Sequence, residues 1–321
     1  MEIPHEFIPS VGKKPIPTGE DHFGALRRSA DILTDGDALR NRLADDGYLY
    51  FPGALDRDQV TSARRVCMER LMAQGALEAG SDPMDAIAAH GTKKYYFMES
   101  LAEENDPLMR VLYEGAMMRL MAQLFDTDVR HFDYTWMRAV GPGNGTSPHC
   151  DAVYMNRGTE QLITAWTPLG DIPLVQGGLV VLENSHREKT GKLEQYLHQD
   201  VDTFCENGPN AQKIRDGKMA WEHYDGSFRE WSGAFSDDAN EIRALLGGRW
   251  LTSPEYRMGD VLLFTIATLH ASLDNNSDRI RLSSDTRYQP AHLPADERWV
   301  LGANGERPIA HGAAGKRGKI C

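Results

Sequence analysis

Ser147-Pro148-His149-Cys150-Asp151-Ala152-Val153-Tyr154 is the stretch around which the chain is organised, and it follows a glycine-rich turn at residues 141–145. A histidine and an aspartate two residues apart point to the same face of an extended segment, because side chains along a strand alternate. One imidazole and one carboxylate are two of the three ligands in the facial triad that holds non-haem Fe(II). Alone, His-x-Asp is a weak signal, because such triplets are also common in solvated turns. A metal site would need a third ligand from elsewhere in the chain.

The composition places the chain among ordinary globular proteins. Its 321 residues can bury a sizeable core, and 41% are hydrophobic and 26% charged. The formal net charge of −12 argues against a general affinity for nucleic acid or for anionic membranes. No apolar run approaches the roughly 20 residues that span a bilayer. We therefore expect neither nucleic acid nor a membrane as a partner; the oligomeric state stays open.

The termini and cysteines bear on the cellular compartment. The N-terminus lacks the basic and apolar regions of a signal peptide. The four cysteines are far apart and form no CxxC pair, so the sequence indicates neither a disulfide framework nor a zinc site. A cytoplasmic location is the expectation.

Hydrophobic periodicity divides the chain into a helix-rich part and a β-rich part. Helices are predicted at residues 37–46, from Asp56 or Asp58 onward, and as one continuous helix from Pro107 to Phe125. Strands are predicted at residues 47–53, 132–140, 161–168, 177–182, 259–264, 268–272 and 280–288. We expect a single domain over 1–321: a helix-rich part at 1–130, a β core at 131–288 with a polar insertion at 187–249, and a loop-like tail at 289–321.

His270 is the natural third ligand, because it stands on a segment predicted to be part of a strand. A jelly roll folds strands that are distant in sequence beside each other. Arg281 follows eleven residues later in the final predicted strand, where a guanidinium can hold a carboxylate in bidentate fashion. The hydroxyls of Ser272 and Ser283 would add hydrogen bonds.

Several stretches between Asp46 and Tyr288 share the pattern of one protein family. They are Asp46–Gly53, His149–Asp151, Ala165–Leu169, Gly177–His186, and Asp260–Phe264 followed by His270, Asn275 or Asn276, Ser277 and Arg281. In the order and spacing of these motifs the chain resembles the phytanoyl-CoA dioxygenase family of Fe(II)/2-oxoglutarate oxygenases.

The resemblance implies a fold and a set of site residues. The fold would be a mainly β core with flanking helices, a double-stranded β-helix (jelly-roll, cupin-like) barrel with a helix-rich N-terminal part. His149, Asp151 and His270 would hold Fe(II). Arg281 would bind the C5 carboxylate of 2-oxoglutarate with help from Ser272, and Trp166 would border the cosubstrate pocket. Lys94 or Tyr96 would reach the C1 carboxylate.

The resemblance also implies a reaction. Enzymes of this kind couple oxidation of 2-oxoglutarate by O2, with release of succinate and CO2, to hydroxylation of an unactivated C–H bond in a small molecule. Halogenating relatives have a small residue where this chain has Asp151, so the carboxylate favours hydroxylation, or a related desaturation or ring-forming oxidation.

Two other functions fit the same residues. One is a non-catalytic jelly-roll protein that binds a metal or another ligand, and the other is a cupin-like metal enzyme that does not use 2-oxoglutarate. Three local interpretations also stand beside the functional ones. Arg281 could belong to an ion-pair network with Asp285 and Arg287, His186 is expected to be structural, and Cys150 is expected to face away from the metal.

Overall fold

The computed structural model describes residues 7–91, 98–188, 191–201 and 233–308. The helices among them are α1 (Gly36–Asp46), α2 (Arg57–Ala73), α3 (Asp106–Tyr113), α4 (Gly115–Phe125), α5 (Gly191–Leu197) and α6 (Ala239–Leu246). The strands are β1 (Ser10–Val11), β2 (Lys14–Pro15), β3 (Phe23–Ala25), β4 (Tyr48–Phe51), β5 (Val129–His131), β6 (Trp136–Val140), β7 (Thr146–His149), β8 (Ile163–Pro168), β9 (Ile172–Pro173), β10 (Leu179–Leu182), β11 (Trp250–Thr252), β12 (Glu255–Tyr256), β13 (Val261–Thr265), β14 (His270–Ser272) and β15 (Arg281–Pro290).

Two mainly antiparallel sheets form the core. One has the strand order β3-β11-β10-β14-β7, and the other has the order β4-β13-β8-β15-β5, with β6 also paired to β15. Strands far apart in sequence are neighbours, as with β7 and β14 or β8 and β13. This is the jelly-roll arrangement that the sequence predicts, and it places the two predicted ligand segments side by side.

The N-terminal helices cover the outer face of the larger sheet. Val60, Ala63, Cys67 and Leu71 of α2 recur at helical spacing and are fully buried in one cluster with apolar residues of β8, β13 and β15. The Asp56 side chain begins α2, accepting a hydrogen bond from the Gln59 amide at 2.9 Å. The helix layer therefore fixes one side of the sheet whose other side faces the site.

Strand β15 carries polar side chains into the space between the sheets. Leu282 and Tyr288 belong to the cluster under the helices. Because strand side chains alternate, Arg281 and Arg287 lie on the opposite face. All ten residues of the strand are buried, since β8 flanks one edge and β5 and β6 flank the other.

Two sequence-based predictions of elements were wrong. The single helix predicted over 107–125 is divided between α3 and α4, because Glu114 is extended (φ −134°, ψ −178°) and Gly115 has a φ of +53°. The start of the strand predicted over 132–140 was also wrong. The strand β6 begins only at Trp136, and the Asp133 amide before it donates to the Trp299 carbonyl at 3.0 Å.

The C-terminal segment is more ordered than the predicted loop-like tail. Strand β15 continues to Pro290, and Glu297–Trp299 form a short 3-10 helix in which Arg298 and Trp299 are buried. Of the predicted insertion at 187–249, residues 189–190 and 202–232 lie outside the described residues, as does the basic end of the tail. None of the described helices is long and apolar enough to cross a membrane.

Gly47 closes α1 against a histidine, which gives a prediction for stability. Its φ is +75°, and an added Cβ would lie 2.3 Å from Nδ1 of His186. Gly53 is the matched control, because its φ is +67° but nothing lies within 4 Å of such a Cβ. We expect Gly53→Ala to lower the free energy of unfolding by about 1–2 kcal/mol through backbone strain alone. Gly47→Ala should lower it clearly further, as measured by urea unfolding.

The excess effect at Gly47 should become smaller when the imidazole ring is removed. His186→Ala keeps a Cβ 3.0 Å from the added one, so in this background the effect of Gly47→Ala is expected to approach that of Gly53→Ala without matching it. Equal effects of the two glycine substitutions in the wild-type background would contradict a steric contact with His186.

Candidate metal and keto-acid site

His149, Asp151 and His270 meet in the interior. His149 ends β7, His270 begins β14, and the two are directly paired in the register of these strands. The three side chains are buried, and one potential ligand atom from each lies within 4.8 Å of the others. The structure therefore brings together the three residues that the sequence selects.

Asp151 reaches this cluster by a different backbone route from the one expected. The strand ends at His149, and Asp151 begins a short 3-10 helix, Asp151–Val153, so strand alternation does not place its carboxylate. The turn is fixed instead by the Ala152 amide, which donates to the Ile266 carbonyl at 3.0 Å and so connects the two ligand-bearing segments. Cys150 lies in an apolar cluster with Leu269 and Ala271, consistent with the packing role expected for it.

Backbone carbonyls fix the tautomers of both histidines. Nδ1 of His149 is 2.8 Å from the Ser147 carbonyl, and Nδ1 of His270 is 3.0 Å from the Thr268 carbonyl. A carbonyl oxygen only accepts, so each Nδ1 carries the proton and each Nε2 keeps its lone pair. Both Nε2 atoms are 3.9 Å from Oδ1 of Asp151.

This donor set fits a divalent metal ion. Donors that are each about 2.1 Å from one ion are at most about 4.2 Å apart, so the pairs at 3.9 Å are close enough to share it. Two imidazole nitrogens and one carboxylate oxygen are the ligands of the non-haem Fe(II) facial triad, which leaves coordination positions open for other molecules.

Burial and charge hold the three groups in the protonation states that a metal requires. Burial lowers the pKa of His149 to about 3, with a further contribution from His270, and burial also lowers the pKa of His270. Burial alone would raise the pKa of Asp151, but the charge of Arg287 and the neighbouring histidines lower it. Neutral imidazoles and an ionised carboxylate are therefore present without a metal.

Arg287 and Thr164 complete the surroundings of Asp151, and neither contact was predicted from the sequence. Nη2 of Arg287 lies 2.9 Å and Oγ1 of Thr164 lies 2.5 Å from Oδ2 of Asp151. The guanidinium also lies over the Trp136 ring, 4.4 Å from its centroid. A signal was available, because Arg287 shares a strand face with Arg281 and Thr164 shares one with Trp166.

Arg281 and Ser272 are in contact, as predicted for a carboxylate anchor. Nη2 of Arg281 donates to Oγ of Ser272 at 3.0 Å, and this hydroxyl also accepts from the Thr146 amide at 2.8 Å. Arg281 is 1% exposed. Ser272 lies two residues after His270 on β14, so the anchor and the histidine cluster share a strand.

The other predicted cosubstrate residues lie on the same inner surface. Trp166 is 1% exposed and packs edge-on against Tyr256, with ring centroids 4.7 Å apart. Oγ of Ser283 is buried and has no hydrogen-bond partner among the described residues. The network proposed for Arg281 is arranged differently, since Asp285 pairs with Arg138 and Arg287 pairs with Asp151.

Two remaining candidates have different outcomes. Lys94 and Tyr96 lie outside the described residues. His186 is structural, as expected: its Nε2 lies 3.0 Å from the Ala44 carbonyl in the last turn of α1. It therefore helps to close the connection between α1 and β4.

The profile of the phytanoyl-CoA dioxygenase (PhyH) family matches residues 43–283. The chain belongs to this family. This PhyH chain is 27% identical over 273 residues to the 1-deoxypentalenic acid 11-beta-hydroxylase of Streptomyces exfoliatus, with 81% of this chain and 83% of that protein covered. The corresponding hydroxylase of Streptomyces arenae is 25% identical over 284 residues, with 84% and 87% covered.

Solved structures with the same fold include two enzymes of nogalamycin biosynthesis. The epimerase SnoN, in complex with Fe3+, alpha ketoglutarate and nogalamycin RO, has 21% identity and a TM-score of 0.54, with 87% of this chain and 94% of that one covered. The carbocyclase SnoK has 17% identity and a TM-score of 0.53, with 84% and 89% covered. At these identities the likeness shows the fold alone.

Family membership and the metal cluster together define the enzyme class. The PhyH chain is a 2-oxoglutarate-dependent non-haem iron oxygenase, with Fe(II), 2-oxoglutarate and O2 as cofactor and cosubstrates. The resemblance that the motifs indicate is confirmed.

The lowered histidine pKa values predict how stability depends on pH. Below pH 6.5 the unfolded chain takes up protons on His149 and His270, while the folded metal-free protein takes up fewer because both pKa values are lowered. The contribution of these histidines to stability is therefore complete above pH 6.5. Below that pH, stability falls by at most about 1.4 kcal/mol per pH unit for each histidine, and for His149 the fall continues until the pH approaches about 3. Urea unfolding of the metal-free protein between pH 7.5 and 4.5 measures this. His149→Gln should give a shallower decline, and an identical decline would contradict the prediction.

Proposed function

We propose that this PhyH enzyme hydroxylates an unactivated C–H bond of a small molecule, with His149, Asp151 and His270 as the iron ligands. Arg281 and Ser272 hold the C5 carboxylate of 2-oxoglutarate, with Trp166 and Ser283 lining its pocket. The observation that carries the proposal is the buried His-Asp-His cluster next to the Arg281–Ser272 contact, because Ser272 lies on β14, the strand that also carries His270.

The chain's own residues have separate tasks in this reaction. When bound, Fe(II), 2-oxoglutarate and O2 supply the oxidising power, and the keto acid is converted to succinate and CO2. The carbonyls behind His149 and His270 keep both Nε2 lone pairs directed inward. Arg281 supplies the positive charge for the distal carboxylate, which orients the keto acid. Burial of the whole cluster excludes bulk water.

Hydroxylation is favoured over related outcomes by two observations. The full ligand set includes the carboxylate of Asp151, whereas halogenating members of the family have a small residue at this position. The curated relatives at 25–27% identity are named as hydroxylases. The epimerase and carbocyclase among the structural neighbours share the fold only.

An aromatic wall beside the ligands suits a largely apolar substrate. Tyr134, Trp136 and Trp299 pack together with ring centroids 4.6–5.3 Å apart, and Tyr154 stands edge-on to His149 at 5.6 Å. We propose a free small molecule with a hydrocarbon framework, comparable in kind to the substrate named for the relatives, 1-deoxypentalenic acid.

The test is turnover that depends on both Fe(II) and 2-oxoglutarate. A panel of terpenoid and polyketide carboxylic acids is incubated with the enzyme, and succinate formation, O2 uptake and product mass are measured. The expected result is succinate and a product heavier by one oxygen atom for at least one compound. Turnover that persists in the absence of Fe(II) or of 2-oxoglutarate would overturn the proposal.

The rival functions give different results in the same assay. A non-catalytic binding protein would bind metal, but adding 2-oxoglutarate would not change the absorption of the bound iron. This titration needs no substrate. A cupin-like metal enzyme would turn over without 2-oxoglutarate. An epimerase or carbocyclase would consume the keto acid and give a product that has gained no oxygen.

A further inference from the structure

Asp151 has two carboxylate oxygens in very different surroundings. Oδ1 is 3.9 Å from Nε2 of both His149 and His270 and has the geometry of a metal ligand. Oδ2 accepts hydrogen bonds from Arg287 at 2.9 Å and from Thr164 at 2.5 Å. The two hydrogen bonds to Oδ2 therefore hold the carboxylate in one orientation, with Oδ1 directed toward the histidines.

We propose that Arg287, assisted by Thr164, is the positioning residue that keeps Asp151 a one-oxygen ligand and so preserves the coordination positions that the keto acid needs. This inference rests on the proposed function, because it takes Asp151 as an iron ligand. Arg287 is hydrogen-bonded to Oδ2 of Asp151, so its effect on coordination is exerted through that carboxylate.

The side chain of Arg287 is fixed well enough for this task. It is 2% exposed, its Cα lies on a strand bonded on both edges, and its guanidinium is 4.4 Å from the centroid of the Trp136 ring. A guanidinium stacked on an aromatic face and bound to a carboxylate at one end has little rotational freedom. Thr164 is fully buried on β8, the neighbouring strand, where it pairs directly with Arg287.

The consequence for coordination follows from counting positions. The facial triad uses three of six positions when the carboxylate binds through one oxygen, and a chelating keto acid takes two of the others. If Oδ2 were released from its two donors, the carboxylate could rotate and bind the metal through both oxygens. Such an arrangement would compete with the keto acid for one position.

The experiment compares Arg287→Met and Thr164→Val with the wild-type enzyme. Fe(II) affinity is measured anaerobically by calorimetry, and 2-oxoglutarate affinity by the visible charge-transfer absorption of the chelated keto acid. For Arg287→Met we expect Fe(II) affinity to fall by about 10–100-fold, as is typical for loss of an outer-shell partner. We also expect 2-oxoglutarate affinity to fall and the absorption band to shift. Thr164→Val, which keeps the side-chain shape, should lower the affinity for Fe(II) and the affinity for 2-oxoglutarate by about fivefold each.

Arg64→Met is the control for loss of a buried guanidinium. Arg64 is buried on α2, on the helix side of the larger sheet, where it donates to the Leu169 carbonyl at 2.7 Å and to the Met84 carbonyl at 2.9 Å. Removing these contacts should lower the urea midpoint while leaving the position of the absorption band unchanged. Arg287→Lys should restore part of the affinity lost in Arg287→Met.

The outcomes separate this inference from the proposed function. If the wild-type protein binds no Fe(II), the proposed function fails. If it binds Fe(II) and 2-oxoglutarate while Thr164→Val and folded Arg287→Met bind both equally well, with an unshifted band, this inference alone is overturned. If Arg287→Met does not fold, Thr164→Val decides, because it removes one donor to Oδ2 without leaving a buried charge.

Discussion

Asp151→Asn is expected to abolish iron binding and turnover while leaving the fold intact. The amide oxygen can still accept from Arg287 and Thr164, which turns the NH2 group toward the two imidazoles. An NH2 group offers no lone pair to a metal. Loss of an outer partner alone typically lowers metal affinity by about 10–100-fold, so loss of this ligand should exceed 100-fold. Anaerobic Fe(II) calorimetry and succinate formation provide the two measurements.

Asp151→Ala should differ from Asp151→Asn in stability. Alanine removes the acceptor and leaves the Arg287 guanidinium buried without its carboxylate, which costs about 3–5 kcal/mol for a broken buried pair. Urea unfolding of the metal-free variants should therefore give a clearly lower midpoint for Asp151→Ala. Succinate formation at the wild-type rate in either variant would show that Asp151 is not an iron ligand.

Arg281→Met is expected to raise the Kd for 2-oxoglutarate by at least about 30-fold. Truncating one partner of a buried, hydrogen-bonded charge pair costs about 2–5 kcal/mol, and methionine keeps much of the side-chain volume. The affinity for Fe(II) should stay within about threefold of the wild-type value, because Ser272, the side chain to which Arg281 donates, is not one of the three ligands. The charge-transfer titration measures the first quantity, and calorimetry without keto acid measures the second.

Ser272→Ala is the graded control for this anchor. It removes one neutral hydroxyl next to Arg281, and a loss of about 1 kcal/mol corresponds to roughly fivefold in Kd. Turnover by Arg281→Met that is unchanged at limiting 2-oxoglutarate would contradict the anchor and favour a metal enzyme without a keto-acid cosubstrate.

The sequence was sufficient to predict the jelly roll and the residues that meet in its interior. His149, Asp151 and His270 could be chosen because their residue types and spacing match one chemistry, and Arg281 because it follows His270 at the spacing of one family. Their convergence depends on β7 pairing with β14, which is a property of the fold rather than of either segment.

The contacts around Asp151 could not be predicted, because they depend on which strands become neighbours. Arg287 and Thr164 both reach Oδ2 of Asp151 because they lie opposite each other in the pairing of β15 with β8. Asp285 lies four residues from Arg281 in sequence but pairs with Arg138 on β6. The break at Glu114 is a further example, because the helical pattern of apolar residues continues through it while the backbone does not.

The short strand β14 has a consequence for which keto acid the site accepts. His270 and Ser272 point to the same face and are about 7 Å apart along the strand, so the metal end and the carboxylate anchor are separated by a fixed length of backbone. The site should therefore select a keto acid by the distance between its keto group and its distal carboxylate. Oxaloacetate, with one carbon fewer, and 2-oxoadipate, with one carbon more, should release CO2 more slowly than 2-oxoglutarate when each replaces it.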